Sequence, residues 1–280
     1  MKRIRIVTDS SAHLTQEEQA ALDISVVPLR IQLGRKNYKE GIDLNNDAFF
    51  GKFRTIKSHP ISHPAVLQDF IDTYHRLSKD TDEILSIHLS SKLNDTVNIA
   101  RTAAATLRGR TRITVIDSET MDRGLGMVVK CAAEAAIEDA TYREVSRLVR
   151  GVIPSIFLSF FVDDLSYLKR DGRIRNSQAL LGTMFGIKPL LEIREGNLIV
   201  MEKVRDQVEM IEKLYNFISE FAYLNEIALL QHNNIQEATL LLEQLETAYP
   251  DTPVFTDRYG PTLSSFIGPS ALGVVVREEF

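Results

Sequence analysis

The groups in this chain best suited to handle a ligand sit in three short polar turns. Thr8-Asp9-Ser10-Ser11 follows the apolar run 4–7, Ser90-Ser91 follows 84–89, and Asp117-Ser118 follows 113–116. Hydroxyls and free N–H groups at such turns suit an anion, with a carboxylate or phosphate head group as the natural guest. Asp9 and Asp117 oppose a bare anion unless they are paired, protonated or turned toward backbone amides. A structural role competes at each position, because Asp and Ser routinely cap helices and bond loop N–H groups. For Asp9 and Asp117 that structural role is the expected one.

Other chemistries find less support. A nucleophilic serine needs a base within hydrogen-bond reach. The histidines are His13, His59, His63, His75, His88 and His232, and none follows a triad pattern. No G-x-S-x-G elbow, Walker loop or G-x-G-x-x-G is present, so neither a hydrolase nor a nucleotide fold has motif support. His88 lies within an apolar run and reads as a core residue. His59 and His63 flank prolines in the loop HPISHP, without the Cys or Asp partners of a metal motif. No metal is therefore expected, and no cofactor or catalytic residue is named. The single cysteine, Cys131, reads as a small buried thiol.

Elements must position these turns. Each of the three runs has the length and β-branched content of a buried strand, and each precedes a helical pattern. Strands alternating with helices imply a parallel sheet, and ligands of such sheets bind beyond the carboxyl ends of the strands. Thr15 and Glu18 form a capping box before a short helix. Residues 24–29 read as a strand, followed by a polar loop and a helix near 46–53. Residues 65–78 are amphipathic, Asn94 caps a helix carrying Ile99, Ala103 and Leu107, and 127–140 is an alanine-rich helix. Thr141 and Glu144 form a second capping box before 145–152. The second half has a bulky strand at 156–162. Strands 187–193 and 197–203 follow, joined as a hairpin through Arg194-Glu195-Gly196. A helix at 208–221, a strand at 226–232, a helix at 238–249 and short closing strands at 254–257 and 273–276 complete it. The expected architecture is two α/β domains, 1–152 and 153–280. The first has a mainly parallel, Rossmann-like sheet, and the second is smaller with a mixed sheet.

Composition narrows the class. The chain has 280 residues, 44% hydrophobic and 25% charged, with net charge -5. These values are ordinary for a globular protein, and the negative balance argues against general nucleic-acid binding. The N-terminal apolar stretch is too short for a signal peptide. No run approaches the ~20 apolar residues of a membrane span. A cytoplasmic protein is expected, with at most a transient membrane contact. Phe157, Leu158, Phe160, Phe161, Leu165, Leu168, Leu180, Leu181, Met184, Phe185, Ile187, Leu190 and Leu191 crowd one span. They read as packed core, or alternatively as the lining of a slot for a flexible apolar ligand. Beside them, residues 167–175 carry four basic side chains around an Asp-Gly turn. Solvated turn charge and an anion-binding or partner-facing cluster both fit.

At these residues the chain resembles the DegV family, from end to end. The matching segments are TDSSAHL, SSKLNDT, VIDSETM, DDLSYLKRDGRI, IKPLLEI with EKVR, and YGPTLSSFIGPSALG, in matching order and spacing. The resemblance implies two α/β domains with a long-chain fatty acid held between them. It also implies a binding subunit, not itself a catalyst, that presents the carboxylate to a fatty-acid kinase. The family's T-S-x-P stretch is matched by Ile61-Ser62-His63-Pro64. Its S-S-x-x-S-G-T loop is matched by Ser90, Ser91 and Thr96, with Asn94 and Asp95 where Ser and Gly are usual. Phe266 stands where the family has a histidine before a G-P turn. Arg173 matches the arginine implied near the pocket mouth, and Arg205 the one implied on the face that meets the kinase. Two competing functions stay open. One is an enzyme acting on a small carboxylated or phosphorylated substrate through strand-end Ser and Asp groups. The other is a lipid sensor without acyl transfer.

Overall fold

The computed structural model describes residues 4–56, 58–163, 167, 188–204 and 206–279. Its first half runs β1 (Arg5–Asp9), α1 (Gln16–Ala21), β2 (Ile24–Val27), β3 (Arg30–Leu33), β4 (Lys36–Lys39), α2 (Asn46–Phe53), β5 (Ile61–His63), α3 (Leu67–Leu77), β6 (Glu83–His88), α4 (Thr96–Ala105), β7 (Arg112–Asp117), α5 (Arg123–Ile137) and α6 (Tyr142–Val152). The second half runs β8 (Ile156–Val162), β9 (Lys188–Arg194), β10 (Asn197–Val204), α7 (Gln207–Ser219), β11 (Leu224–Gln231), α8 (Ile235–Ala248), β12 (Val254–Asp257), α9 (Pro261–Ile267) and β13 (Ala271–Glu278).

The first sheet has the order β2-β1-β6-β7 and is parallel throughout. Its registers pair Ile6 with Ile24 and Leu85, and Ile84 with Ile113. All three polar turns therefore emerge at one edge, beyond the carboxyl ends of β1, β6 and β7. Both expected capping boxes are present, at Thr15 with Glu18 and at Thr141 with Glu144. The second sheet is mixed, with the order β10-β9-β8-β13-β11-β12. The expected hairpin joins β9 to β10 antiparallel, and its turn places Glu195 and Gly196 at φ 48° and 76°. Positive φ at two successive residues is the two-residue turn that suits twisted strands.

Helix α5 packs on β1 and β6 of the first sheet and on β8 and β13 of the second. One apolar core thus runs from Ile4 to Val275 through both halves. A second core fills the space between the mixed sheet and α7 and α8. Strand alternation divides residues between them. Leu158 and Phe160 join the first core, Phe161 and Leu190 the second. On β13, Ala271 and Val275 face the first core, while Leu272, Val274 and Val276 face the second. A strand covered on both faces loses the polar alternation of a surface strand, which explains the continuous run ALGVVV. Each fully buried valine or leucine there contributes roughly 1.5–3 kcal/mol.

The structure corrects several sequence expectations. The polar stretch after β2 is not a loop. It forms the hairpin β3–β4, and β5 joins it in a three-stranded antiparallel sheet of order β4-β3-β5. Here Ile31 and Leu33 alternate with Arg30 and Gln32, a half-buried strand signal diluted by surrounding charge. The HPISHP segment accordingly holds a short strand. β13 is an eight-residue central strand, not a short closing one. Helix α9 was not expected: Pro261 occupies its first turn and every residue in it is buried, so no polar face marked it. Asp95, not Asn94, occupies the cap position of α4. Of the bulky span, Leu158, Phe160, Phe161, Leu190 and Leu191 are core residues. Leu165, Leu168, Leu180, Leu181, Met184, Phe185 and Ile187 lie outside the described residues.

Candidate functional site

The strand-end carboxylates are occupied by loop groups. Asp9 Oδ1 accepts from the Ser11 amide at 3.1 Å and from the Ser11 hydroxyl. Its Oδ2 accepts from the Leu89 amide at 3.1 Å and lies 3.0 Å from His88 Nδ1. Asp117 accepts from the Ser91 amide, 3.2 Å from each oxygen, and from the Glu119 amide at 3.0 Å. Both aspartates thus have the structural role read from the sequence: they tie neighbouring loops together.

Behind Asp9 the chain of hydrogen bonds continues. His88 Nε2 is 2.7 Å from Ser86 Oγ, which is 2.8 Å from the Tyr74 hydroxyl. With His88 Nδ1–H directed at Asp9, Nε2 accepts from Ser86, and Ser86 accepts from Tyr74. Asp9, His88 and Ser86 have the connectivity of a nucleophilic triad, but all three are 0% exposed. Ser86 lies mid-strand beneath Tyr74, whose hydroxyl is pushed to higher pKa by burial. A nucleophile must meet a substrate carbon, and this serine is sealed from any. No sequence spacing marks the arrangement, because its members come from two strands and a helix, 79 and 12 positions apart. The core placement of His88 holds.

The residues matched to the family's head-group positions converge from three segments. β5 pairs with β3, placing Ser62 opposite Ile31. Ser62 points inward and is buried, while Ile61 and His63 on the other face are half-buried. Helix α9, which carries the buried Phe266, packs against β5. The Ala65 amide donates to Thr96 Oγ1 at 3.4 Å, joining the exit of β5 to the start of α4. The Thr96 amide in turn donates to Asn94 Oδ1 at 2.9 Å. At this junction two buried polar atoms, Ser62 Oγ and Asn94 Nδ2, have no hydrogen-bond partner. A buried donor left unpaired costs about 1–3 kcal/mol unless water or a ligand pairs with it.

Ser90 and Ser91 are placed differently. The Ser90 hydroxyl donates to the Gly196 carbonyl at 2.8 Å and accepts from the Lys92 amide at 3.2 Å. It therefore fastens the β9–β10 turn to the first sheet. A side chain at Gly196 would collide with Ser90 Oγ, and its φ of 76° also favours glycine. Ser91 is half-buried beside Asp117. Arg173 and Arg205 lie outside the described residues.

A polar clamp, unsuspected from sequence, holds the segment leading into α9. The Gly260 amide donates to Asp122 Oδ2 at 2.9 Å. Glu40 accepts from the Thr262 amide at 2.9 Å, the Thr262 hydroxyl at 2.7 Å and the Ser10 hydroxyl at 2.7 Å. His13 Nε2 lies 3.8 Å from Asp257, and Arg258 pairs with Asp47. Burial pushes the Glu40 and Asp122 carboxyls up. Burial opposes charge on His13, but Asp257, Asp122 and Glu40 outweigh it and raise the imidazole to about 9. The same pairing outweighs burial at Asp257 and lowers that carboxyl.

Two smaller cavities flank this region. One of 480 Å³ lies beside Ser10, His13, Glu40 and Asn46. The other, 190 Å³, is walled by Phe50, Phe53, Tyr167, His59 and His232. His232 stacks on Phe50 with ring centroids 3.7 Å apart, and burial with Arg258 and Arg54 lowers it to about 4. A groove of 1410 Å³ lies at the opposite edge, by Ile4, Glu83, Arg112 and Tyr142. That is the amino end of the parallel strands, away from where such sheets bind ligands. His59 packs on Tyr167 with ring centroids 4.2 Å apart, whereas His63 bonds Gln32 at 2.9 Å. The two imidazoles have separate partners. Among the described residues no group of three or more His, Cys, Asp or Glu could hold a metal ion. Nor is any helix there long and apolar enough to cross a membrane.

Comparison with known proteins gives consistent matches along the whole chain. The family model described as "Uncharacterised protein, DegV family" matches residues 3–279. A DegV domain-containing protein of Listeria monocytogenes is 30% identical over 278 residues, covering 98% of both chains. Among solved structures, a DegV family protein from Thermus thermophilus, described by its fatty acid binding, has a TM-score of 0.88 at 29% identity. The match covers 99% of this chain and 100% of that one. DegV of Bacillus subtilis, described as a fatty acid binding protein, has a TM-score of 0.89 at 25% identity, with 100% of each chain covered.

Proposed function

Since the chain belongs to the DegV family, we propose that it binds a long-chain fatty acid and presents the carboxylate to a fatty-acid kinase. The observation that carries this reading is the buried, unpartnered Ser62 hydroxyl. It lies on β5, which packs against the buried helix bearing Phe266 and leads through Ala65 to the start of α4. Ser62 and Ser91 hold the head group, Ile61 and Phe266 wall it, and Ser90 keeps the neighbouring loop docked. The family resemblance assigns Arg173 to the pocket mouth and Arg205 to the face that meets the kinase. The acyl chain lies between domains 1–152 and 153–280. Burying a ~16-carbon tail at ~0.8 kcal/mol per methylene supplies about 12 kcal/mol before ordering costs. A modest polar grip therefore suffices. The protein acts in the cytoplasm as a carrier and leaves phosphoryl transfer to its partner. The fatty-acid binding described for the Thermus thermophilus and Bacillus subtilis relatives supports the lipid half of this reading.

Mass spectrometry of freshly purified, denatured protein tests it. A long-chain fatty acid near one per chain is expected. Lipid-free protein from fatty-acid-rich cells would overturn the reading. Arg205→Ala is expected to leave lipid content unchanged and weaken acyl-phosphate formation, because a rim charge acts mainly on association.

A further inference from the structure

Charge is divided unevenly along this chain. Residues 30–63 hold seven Lys and Arg against three Asp and Glu, a balance of +4. The whole chain carries -5, so the remainder carries -9. Residues 30–63 build the three-stranded sheet β4-β3-β5 and helix α2. Their three carboxylates are engaged elsewhere. Glu40 is 4% exposed, and its oxygens are taken by Ser10 and Thr262. Asp47 pairs with Arg258 of the other half. Asp43 accepts from the Lys39 amide at 2.9 Å.

The cations lie together on two packed elements. Gly34 and Arg35 form the tip of the β3–β4 hairpin, and Lys36 follows opposite Leu33. Lys39 stands directly opposite Arg30, so their side chains share one face of the sheet. The Lys52 ammonium, in the last turn of α2, lies 5.8 Å from the centre of the Tyr38 ring on β4. Arg54 ends the same helix. Lys39 pairs with Asp69 at 3.0 Å. Among the described residues Arg30, Arg35, Lys36, Lys52 and Arg54 form no ion pair, and all of these but Arg30 are exposed. Like charges gathered in this way repel one another, and an anionic surface laid against them relieves the repulsion. Ile42 is the one exposed large hydrophobic among the described residues of this segment. The face thus offers charge without the apolar side chains that bury a protein in a bilayer.

Resting on the kinase reading above, we infer that the β3–β4 hairpin and the end of α2 form an electrostatic docking face for an acidic surface of the fatty-acid kinase. The remainder of the chain, at -9, repels such a surface. The partner is therefore steered to the sheet that bears Ser62. Exposed charges of this kind act mainly on association and are screened by salt.

The test measures the affinity of lipid-loaded protein for the purified kinase at ~50 mM and ~500 mM salt, with lipid content and Tm in parallel. Arg35→Glu/Lys36→Glu reverses two exposed charges at the hairpin. Arg147→Glu/Arg150→Glu changes the net charge equally at two exposed positions of α6. The hairpin variant is expected to bind at least about fivefold more weakly at the lower salt and within about twofold of wild type at the higher. Its lipid content is expected to stay unchanged. The α6 variant is expected to stay within about twofold of wild type at both. Lys52→Glu tests the same face without touching the hairpin and is expected to weaken binding at least about twofold at the lower salt. Equal losses in the hairpin and α6 variants would overturn the inference, by showing net charge alone at work. Unchanged kinase affinity in both the hairpin variant and Lys52→Glu would also overturn it. Loss of binding to phosphatidylglycerol vesicles with kinase affinity intact would overturn it by making the face a membrane contact. Wild-type protein that carries fatty acid but binds no kinase at either salt would overturn the kinase reading itself, a distinguishable result.

Discussion

Glu40 and Thr262 lie 222 positions apart, yet Thr262 gives the Glu40 carboxyl both its amide hydrogen, at 2.9 Å, and its hydroxyl hydrogen, at 2.7 Å. Glu40 closes the β3–β4 hairpin and Thr262 opens α9, so this bond fastens the Phe266 helix to the first half. Thr262→Val keeps the shape and removes the hydroxyl from a buried acceptor. The expected loss is about 1–3 kcal/mol, read as a lower urea midpoint with unchanged slope.

The clamp should also weaken in alkali. His13 is raised to about 9 by its carboxylate neighbours, so the folded state holds this proton more tightly than the unfolded chain. Its contribution is fully present below the ordinary histidine value of ~6.5 and is lost as pH rises through about 9. His13 has φ 51°, a conformation asparagine tolerates. His13→Asn therefore removes the charge without new backbone strain. Thermal unfolding between pH 6.5 and 9.5 should fall less steeply in His13→Asn than in wild type. Parallel curves would show that His13 does not gain its charge on folding.

Ser90 and Gly196 form a second fastening, between the first sheet and the β9–β10 turn. Gly196→Ala meets both positive φ and the Ser90 hydroxyl. It is expected to destabilise by more than about 1 kcal/mol. Ser90→Ala removes the obstacle together with its hydrogen bond. In a double-mutant cycle the combined loss should be smaller than the sum of the single losses, with a coupling of ~0.5–3 kcal/mol. Strict additivity would mean that φ alone sets the cost.

The buried Asp9–His88–Ser86–Tyr74 chain predicts two unequal losses. Tyr74→Phe leaves Ser86 bonded to His88 and should cost roughly 0.5–1.5 kcal/mol. His88→Leu strips Asp9 of one buried partner and leaves the Ser86 hydroxyl hydrogen without its acceptor, for an expected ~3–5 kcal/mol. Chemical denaturation of both variants checks the order. Equal costs would show that the network is not anchored at His88.

The parallel sheet was legible because its strands are short β-branched runs ending in polar turns. Thr15, Glu18, Thr141 and Glu144 announced their helices because capping is local chemistry. The three-stranded sheet was not legible: Ile31, Leu33 and Ile61 are isolated apolar residues whose pairing is long-range. α9 was hidden for the opposite reason, since a fully buried helix has no polar stripe to reveal its period. At the candidate site, Ser62, Ser90 and Ser91 could be singled out by motif, but their different roles could not. Which hydroxyl stays unpartnered depends on Gly196 and Thr96 arriving from elsewhere in the chain. The Glu40, Asp122 and Asp257 cluster had no sequence signal because its members share no spacing.

The position of β13 bears on how the chain is assembled. β8 and β11 flank the gap that this strand fills, and both are made before it. Until residues 271–278 leave the ribosome, the mixed sheet exists only as two pieces, each with an unpaired apolar edge. Such edges are templates for aggregation. A chain that stops before Ala271 should therefore be harmed more than one nicked in an outer loop. β13, which follows every other described strand in the chain, closes the second sheet and completes the face of the core shared with the first.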